Sequence, residues 1–249
     1  MYQEKSRKYG VIGMIYWVIY MLGLLGSGIL YSHELPFQVP YITLIVLAIG
    51  IAFVMDKKKM LCSLGFSKKH IKADSIIAVS ACVITYIFSV FVSEYSPWTL
   101  LKTSLYYLLY IGAVEEIAFR GLIQNYLFGW KCNRTVLFLI GAAFFSLSHL
   151  PFQMFANNNV SLSYLTIAWP NLIYTFFFHL LLCFIANKRK NILIPIALHY
   201  ISNYIDSTIL TVLFCICYTA LVIGHLISFI SSRKNQRKKR QTITETLGK

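Results

Sequence analysis

The chain has 249 residues, of which 57% are hydrophobic and only 13% are charged. The charged share is about half that of an ordinary soluble protein, and one soluble core could not bury so much apolar surface, so the composition excludes a soluble globular domain. The formal net charge of +14 does not indicate a nucleic-acid partner, because the basic residues form short clusters between apolar runs, as in membrane proteins.

Eight apolar runs are candidates for transmembrane helices, since a helical span needs about 20 residues. In chain order they are approximately 10–32, 38–55, 75–95, 101–129, 135–153, 171–187, 191–209 and 209–231. The last two are separated by very little sequence. The runs predict an all-α, polytopic membrane helix bundle with about eight transmembrane helices over residues 1–231, and residues 101–209 carry its polar motifs.

The basic clusters fall at alternating ends of these spans. They precede the first span and follow the second, fourth, sixth and eighth: Lys5, Arg7 and Lys8; Lys57, Lys58 and Lys59; Lys131 and Arg134; Lys188, Arg189 and Lys190; and six residues from Arg233 to Arg240. With an even number of spans, all clusters lie on one side, so the positive-inside rule places both termini in the cytoplasm. Residues 232–249 then form a basic, disordered cytoplasmic tail that can contact anionic lipid of the bilayer.

Six cysteines lie mostly within the apolar runs and form no CxxC pair. We interpret them as small core residues rather than as disulfide partners or metal ligands.

Glu115 and Glu116 are the two carboxylates that lie well inside an apolar run, the fourth. A charge at mid-membrane costs about 2.5–3.5 kcal/mol even on mild scales, so this pair needs a compensating arrangement. Glu116 and Arg120 are four residues apart, share a helical face and can form an ion pair. Glu115 points elsewhere and has no such partner, which suits a general base.

Neighbouring spans supply further polar side chains. His149 ends the sequence Phe-Phe-Ser-Leu-Ser-His in the fifth span, and His199 and Asn203 share one helical face in the seventh, which Asp206 extends. Together with the carboxylates, two histidines and an amide can activate a water and stabilise an oxyanion.

Each of these residues also has a purely structural interpretation. A lone histidine in a helix bundle is more often a hydrogen-bonded packing residue, and this holds for His179 and His225 as well. The Glu116–Arg120 pair alone could be a structural clamp. The order and spacing of the whole set favour the catalytic interpretation.

Three motifs occur in order over residues 115–203: Glu115-Glu116-Ile-Ala-Phe-Arg120, Phe145-Ser-Leu-Ser-His149 and His199-Tyr-Ile-Ser-Asn203. This EExxxR, FxxxH and HxxxN series resembles the CAAX protease and bacteriocin-processing family, also called CPBP or Abi, of intramembrane endopeptidases. The first hundred residues match that family only in hydropathy.

The resemblance implies an eight-helix bundle with a polar cavity in the membrane. It implies that Glu115 and His149 polarise the attacking water and that His199 and Asn203 stabilise the tetrahedral oxyanion. Arg120 would hold Glu116, and Phe145, the first residue of its motif, belongs to the supporting set.

The resemblance favours a glutamate-driven mechanism without a metal cofactor. Zinc is the open alternative, because Glu115, His149 and His199 are ligand types that zinc accepts, with a fourth position left for water.

The expected function is cleavage of a peptide bond near or within the membrane. A composition rich in Lys, Ile and Asn is typical of a bacterial protein, so we expect a bacteriocin precursor, a pheromone precursor or a regulatory membrane protein as substrate, with bacteriocin self-immunity as a fitting role. One alternative is a non-catalytic immunity or scaffold protein. Another is a proton-coupled transporter, although no inverted repeat in the sequence supports it.

The depth of the site leaves its access side open. At 1.5 Å per residue, His149 lies about 22 Å and His199 about 13 Å from the cytoplasmic ends of their spans. A cytoplasmic opening would therefore require a deep or tilted cavity, and otherwise the site opens on the other side.

Overall fold

Helices account for the architecture of the chain in a computed structural model that describes Tyr2 and residues 5–204. Those residues contain no β-strand, which confirms the all-α prediction. The helices are α1 (Arg7–Ser32), α2 (Gln38–Asp56), α3 (Ile71–Val92), α4 (which begins at Pro97 and ends at Trp130), α5 (Arg134–Ala156), α6 (Leu165–Arg189) and α7 (Leu193–Tyr204). Short helical turns, Lys57–Lys59, Met60–Ser63 and Leu162–Tyr164, lie between them.

Five of these helices, α1, α2, α3, α5 and α6, are long and apolar enough to cross a membrane. Their outer surfaces carry large apolar side chains, such as Phe91 of α3, which is 83% exposed, and Val54 of α2, which is 70% exposed. Apolar surface on this scale is unfavourable in water and favourable against lipid chains. The chain is therefore a multi-pass membrane protein.

The first six predicted spans correspond to α1–α6. The largest difference is at α6, which begins at Leu165, six residues before the predicted start, because Pro170 is accommodated in its second turn instead of ending the helix. The seventh span corresponds to α7, which the structure follows to Tyr204. The eighth span, 209–231, and the predicted tail, 232–249, lie outside the described residues.

Helix α4 changes its hydrogen-bonding pattern along its length. Its N-terminus is capped by Ser96, whose side chain accepts a hydrogen bond from the Thr99 backbone N–H. It then passes through α-, π- and 3₁₀-helical pieces: Pro97–Tyr106 (α), Tyr107–Ala113 (π), Val114–Glu116 (α), Ile117–Ile123 (π), Gln124–Leu127 (α) and Phe128–Trp130 (3₁₀). Two π segments thus flank the piece that carries both carboxylates, and π turns are frequent at functional sites.

The helix ends that carry the described basic clusters lie on one face of the bundle, which we call the basic face. Asp56 at the end of α2 accepts hydrogen bonds from Lys5 Nζ (3.3 Å) and from the Tyr126 hydroxyl (3.0 Å), which joins α2 to the chain before α1 and to the end of α4. Similar contacts join the remaining ends: Arg189 with Asp74, Asn191 with Ser67, and Arg134 with Tyr2.

The other ends of the helices meet on the opposite face. There the ring of Tyr31 near the end of α1 lies 5.2 Å from that of Phe37 before α2 and 5.6 Å from that of Phe152 near the end of α5. The Tyr86 hydroxyl in α3 donates to the carbonyl of Pro97 at the start of α4. The three motifs lie between these two faces.

Candidate active site

Glu116 is held by two buried donors. Arg120 Nη1 donates to Glu116 Oε1 at 2.7 Å, and neither side chain is exposed. His199 Nδ1 lies 2.7 Å from the same oxygen. The predicted pairing of Glu116 with Arg120 is therefore present, and Glu116 also connects α4 to the histidine of α7, which sequence reasoning did not anticipate.

Glu115 has no donor of this kind, whereas Glu116 has two on Oε1 and none on its own buried Oε2 among the described residues. The Oε2 atom of Glu115 is buried and has no hydrogen-bond partner among the described residues. His199 Nε2 lies 3.6 Å and His149 Nε2 lies 4.0 Å from this atom, both beyond hydrogen-bond distance. The structure thus brings Glu115, His149 and His199 together from α4, α5 and α7.

The hydrogen bonds behind the two histidines fix their tautomers. His149 Nδ1 lies 2.9 Å from the Phe145 carbonyl oxygen, which can only accept, so this nitrogen carries the proton. His199 Nδ1 likewise donates to the Glu116 carboxylate. In the neutral rings, each Nε2 therefore presents a lone pair toward Glu115, and three acceptors face one another.

Phe145 supports this arrangement through its ring and its backbone. The ring centroid lies 4.3 Å from the guanidinium carbon of Arg120, a cation–π contact, and 4.9 Å from the ring of Phe119 in an edge-to-face arrangement. Its carbonyl oxygen accepts a hydrogen bond from the Nδ1–H group of His149. Phe145, the first residue of the FxxxH motif, thus shields the buried Arg120 and orients His149, the last residue of the motif.

A cavity of about 160 Å³ contains the three converging side chains. It is lined by Tyr20, Leu24, Tyr41, Ile111, Glu115, Phe119, Ser148, His149, Phe152, Gln153, His199 and Asn203. Asn203 therefore faces the same space as His199, as the shared helical face predicted.

Tyr20 is a lining residue that the sequence analysis missed. It is fully buried, and its hydroxyl has no hydrogen-bond partner among the described residues. A tyrosine inside the apolar run of α1 is indistinguishable by sequence from a packing residue. Only the fold shows that it faces the cavity.

His179 is not part of the cavity lining. It is fully buried in α6, with Nε2 3.1 Å from Gln124 Oε1 and 3.1 Å from Cys183 Sγ. Its ring lies 5.2 Å from that of Phe145. His179 therefore packs behind the site. Cys183 is buried, as the sequence predicted, but the core interpretation is wrong for Cys62 and Cys132, which are exposed because they lie in the turn after α2 and in the loop after α4, and Cys82 is partly exposed. Asp206 and His225 lie outside the described residues.

The donor types of Glu115, His149 and His199 are those of a zinc site. The histidine, cysteine, aspartate and glutamate side chains of the described residues nevertheless include no group of three arranged to hold a metal ion. Zinc stays the alternative to the metal-free mechanism.

Comparison with known proteins gives one match. Residues 97–205 match the family model described as type II CAAX prenyl endopeptidase Rce1-like. No curated protein and no solved structure matches the chain. The matched range contains all three motifs, which confirms the resemblance predicted from them.

Proposed function

We propose a function from the premise that the chain belongs, through residues 97–205, to the Rce1-like family of type II CAAX prenyl endopeptidases. Members are proteases, so the chain is a membrane-embedded hydrolase. The reaction we propose is hydrolysis of a peptide bond in a membrane-associated peptide or protein. The observation that carries it is the buried, unpaired Oε2 of Glu115 facing two histidine nitrogens in a cavity.

The first step is attack by water. His199 enters the cycle as an imidazolium, with its second ring proton taken from solvent. A water bound between Glu115 Oε2 and His149 Nε2 donates its hydrogens to these two acceptors, and a lone pair on its oxygen is free to attack. Glu115 takes one proton as the new bond forms between the water oxygen and the substrate carbonyl carbon. The carbonyl π electrons move to its oxygen, which becomes an oxyanion.

The oxyanion needs donors, and the geometry refines which groups can supply them. Asn203 can donate through its side-chain amide. His199 donates from Nε2 as the imidazolium, since its Nδ1 proton is already shared with Glu116, and it keeps both ring protons when the intermediate collapses. The Glu116 carboxylate stabilises that cation, much as a carboxylate orients and supports the histidine of a catalytic triad.

The tetrahedral intermediate then collapses. The carbon–nitrogen bond breaks, the carbonyl re-forms, and the leaving nitrogen takes the proton that Glu115 removed from water. In this scheme Arg120 and Phe145 are positioning residues, because they act through Glu116 and His149 and do not line the cavity as Glu115 does. The side chains complete the cycle without a metal.

We also propose the setting of the reaction. The composition rich in Lys, Ile and Asn favours a bacterial cell membrane, and the basic clusters favour an orientation with both termini in the cytoplasm. A bacteriocin precursor, a pheromone precursor or a regulatory membrane protein suits an intramembrane endopeptidase, and bacteriocin self-immunity is a role that such cleavage could serve.

Terminal proteomics tests this function in cells and does not require an identified substrate. Cells would express the wild-type protein or Glu115→Gln at matched membrane levels, and new protein termini would be enriched and identified by mass spectrometry. We expect a set of termini that appears only with the wild type. Identical termini in both samples, with a phenotype that survives in Glu115→Gln, would favour the non-catalytic scaffold instead.

A further inference from the structure

Toward the basic face, the cavity lining on α4 reaches Phe119, one turn beyond Glu115, and from the proposed catalytic residues it otherwise extends toward the opposite face of the bundle. Gln153 lies three residues before the end of α5, about 4.5 Å from the opposite face. Tyr41 lies three residues after the start of α2, at a similar distance from the same face. His149, by contrast, lies 15 residues from the basic end of α5, about 22 Å along its axis.

The same direction holds on the other helices that form the cavity. In α1, the lining residue Leu24 lies one turn beyond Tyr20, away from the basic face. In α4, which runs toward the basic face, Ile111 lies one turn before Glu115. In α7, which starts at the basic face, Asn203 lies one turn beyond His199. On all three helices, the first-named residue of the pair therefore lies closer to the opposite face.

The bundle is closed between the catalytic residues and the basic face. The next residues of α4 in that direction, Leu122, Ile123 and Tyr126, have no exposed surface. At the basic end of this buried row, the Tyr126 hydroxyl donates a hydrogen bond to Asp56. Backbones also meet closely there, since a Cβ at Gly121 would collide with the Leu64 carbonyl oxygen.

We propose that the active site takes its substrate from the face opposite the basic clusters, that is, from the extracytoplasmic surface of the membrane. This inference rests on the proposed function and names its substrate class. The described lining residues include no lysine or arginine, and beyond the catalytic set they are aromatic, aliphatic or neutral polar. The substrate is accordingly a peptide segment with uncharged, largely apolar side chains that enters from outside.

Site-directed thiol labelling tests the access side directly. The variant Gln153→Cys places a thiol in the lining, and Glu34→Cys marks the exposed loop on the opposite face. The native Cys132, which is exposed beside Lys131, marks the basic face. A membrane-impermeant methanethiosulfonate cation would be added to spheroplasts or to inverted vesicles, and each site would be read separately by peptide mass spectrometry.

We expect the thiols at positions 153 and 34 to be labelled in the same preparation. In the other preparation, in which Cys132 is labelled, neither of these two thiols should react. Labelling at 153 together with Cys132 would overturn the proposal, and so would labelling at 153 from neither side. Unfolded protein serves as the control for thiol reactivity. The readout does not need turnover, so repeating it in a Glu115→Gln background separates a failure of access from a failure of catalysis.

The substrate class has its own readout. Cleavage sites identified by the terminal proteomics should lie in segments exposed outside the cytoplasm, next to uncharged side chains. Labelling of Gln153→Cys from outside should also abolish that cleavage. Sites confined to cytoplasmic segments would contradict the proposed substrate class even if Glu115 proved essential.

Discussion

Asp56 on the basic face and Glu115 in the cavity are both carboxylates of a membrane bundle, and their surroundings differ completely. Asp56 accepts hydrogen bonds from Lys5, Tyr9, Ser63 and Tyr126. Glu115 Oε2 accepts none from the described residues, although it is buried. Both carboxylates belong to polar clusters in the bundle, but only Asp56 has its hydrogen-bond donors among the described residues.

The difference separates a structural role from a chemical one. A fully hydrogen-bonded buried group stabilises one conformation and has no capacity left for a ligand. A buried acceptor without a partner costs free energy of folding and is retained where a function requires it. The comparison predicts opposite consequences for conservative substitutions at the two carboxylates.

The largest effect should come from Glu115→Gln. The substitution removes the proposed general base without changing side-chain volume, so we expect cleavage to fall by about 10²–10⁴-fold. Thermal stability in detergent should be unchanged or higher, because a charge without a partner is replaced by a neutral amide. The measurement is the cleavage rate of a substrate identified by terminal proteomics, together with the melting temperature.

The next effect concerns Glu116, which combines both roles. Glu116→Gln leaves Arg120 buried without its counter-charge, so stability should fall by about 3–5 kcal/mol. The double variant Glu116→Gln/Arg120→Met should recover much of that stability. Cleavage should stay about 10²-fold below wild type, because His199 still lacks the carboxylate that supports its imidazolium. Recovery of activity with stability would show that Glu116 is only a clamp.

Asp56→Asn should give the reverse of Glu115→Gln. It weakens a charged hydrogen-bond cluster on the basic face, so we expect a loss of about 2 kcal/mol in stability. The cleavage rate per folded molecule should remain that of the wild type. A large loss of turnover in folded protein would mean that the basic face contributes to the chemistry.

Tyr20→Phe should have a smaller effect on catalysis. If the unpaired hydroxyl donates to bound substrate, its removal costs about 1 kcal/mol of binding, or about fivefold in kcat/KM. Stability should not fall, because no hydrogen bond within the described residues is lost. A lower melting temperature with unchanged kcat/KM would assign Tyr20 to packing instead.

Metal removal should have the smallest effect. The proposed mechanism uses side chains alone, so dialysis against a zinc chelator should leave the cleavage rate unchanged. Loss of activity that is restored by added zinc would instead support the alternative in which Glu115, His149 and His199 bind the metal.

Much of this arrangement was accessible from sequence because it depends on local pattern. Apolar run length predicted the helices, four-residue spacing predicted the Glu116–Arg120 contact, and the three motifs predicted which helices converge. Helical spacing alone could not give the bond from His199 to Glu116, which joins residues distant in sequence. It also could not give the π turns of α4, since apolar pattern does not specify which carbonyl each N–H selects.

The polar residues outside the motifs were the least predictable. The sequence placed Arg189 in a basic cluster, and its ion pair with Asp74 appears only once α3 and α6 are packed together. Tyr20 was hidden by its apolar neighbours. In both cases the tertiary partner, or its absence, decides the role of the side chain.

The most direct test of the central claim measures two quantities, cleavage rate and melting temperature, for Glu115→Gln and Asp56→Asn in the same proteoliposome preparation. We predict a crossed result, in which Glu115→Gln is stable and inactive while Asp56→Asn is less stable and active. A Glu115→Gln protein that is folded and cleaves at the wild-type rate would contradict the proposal that Glu115 activates the water.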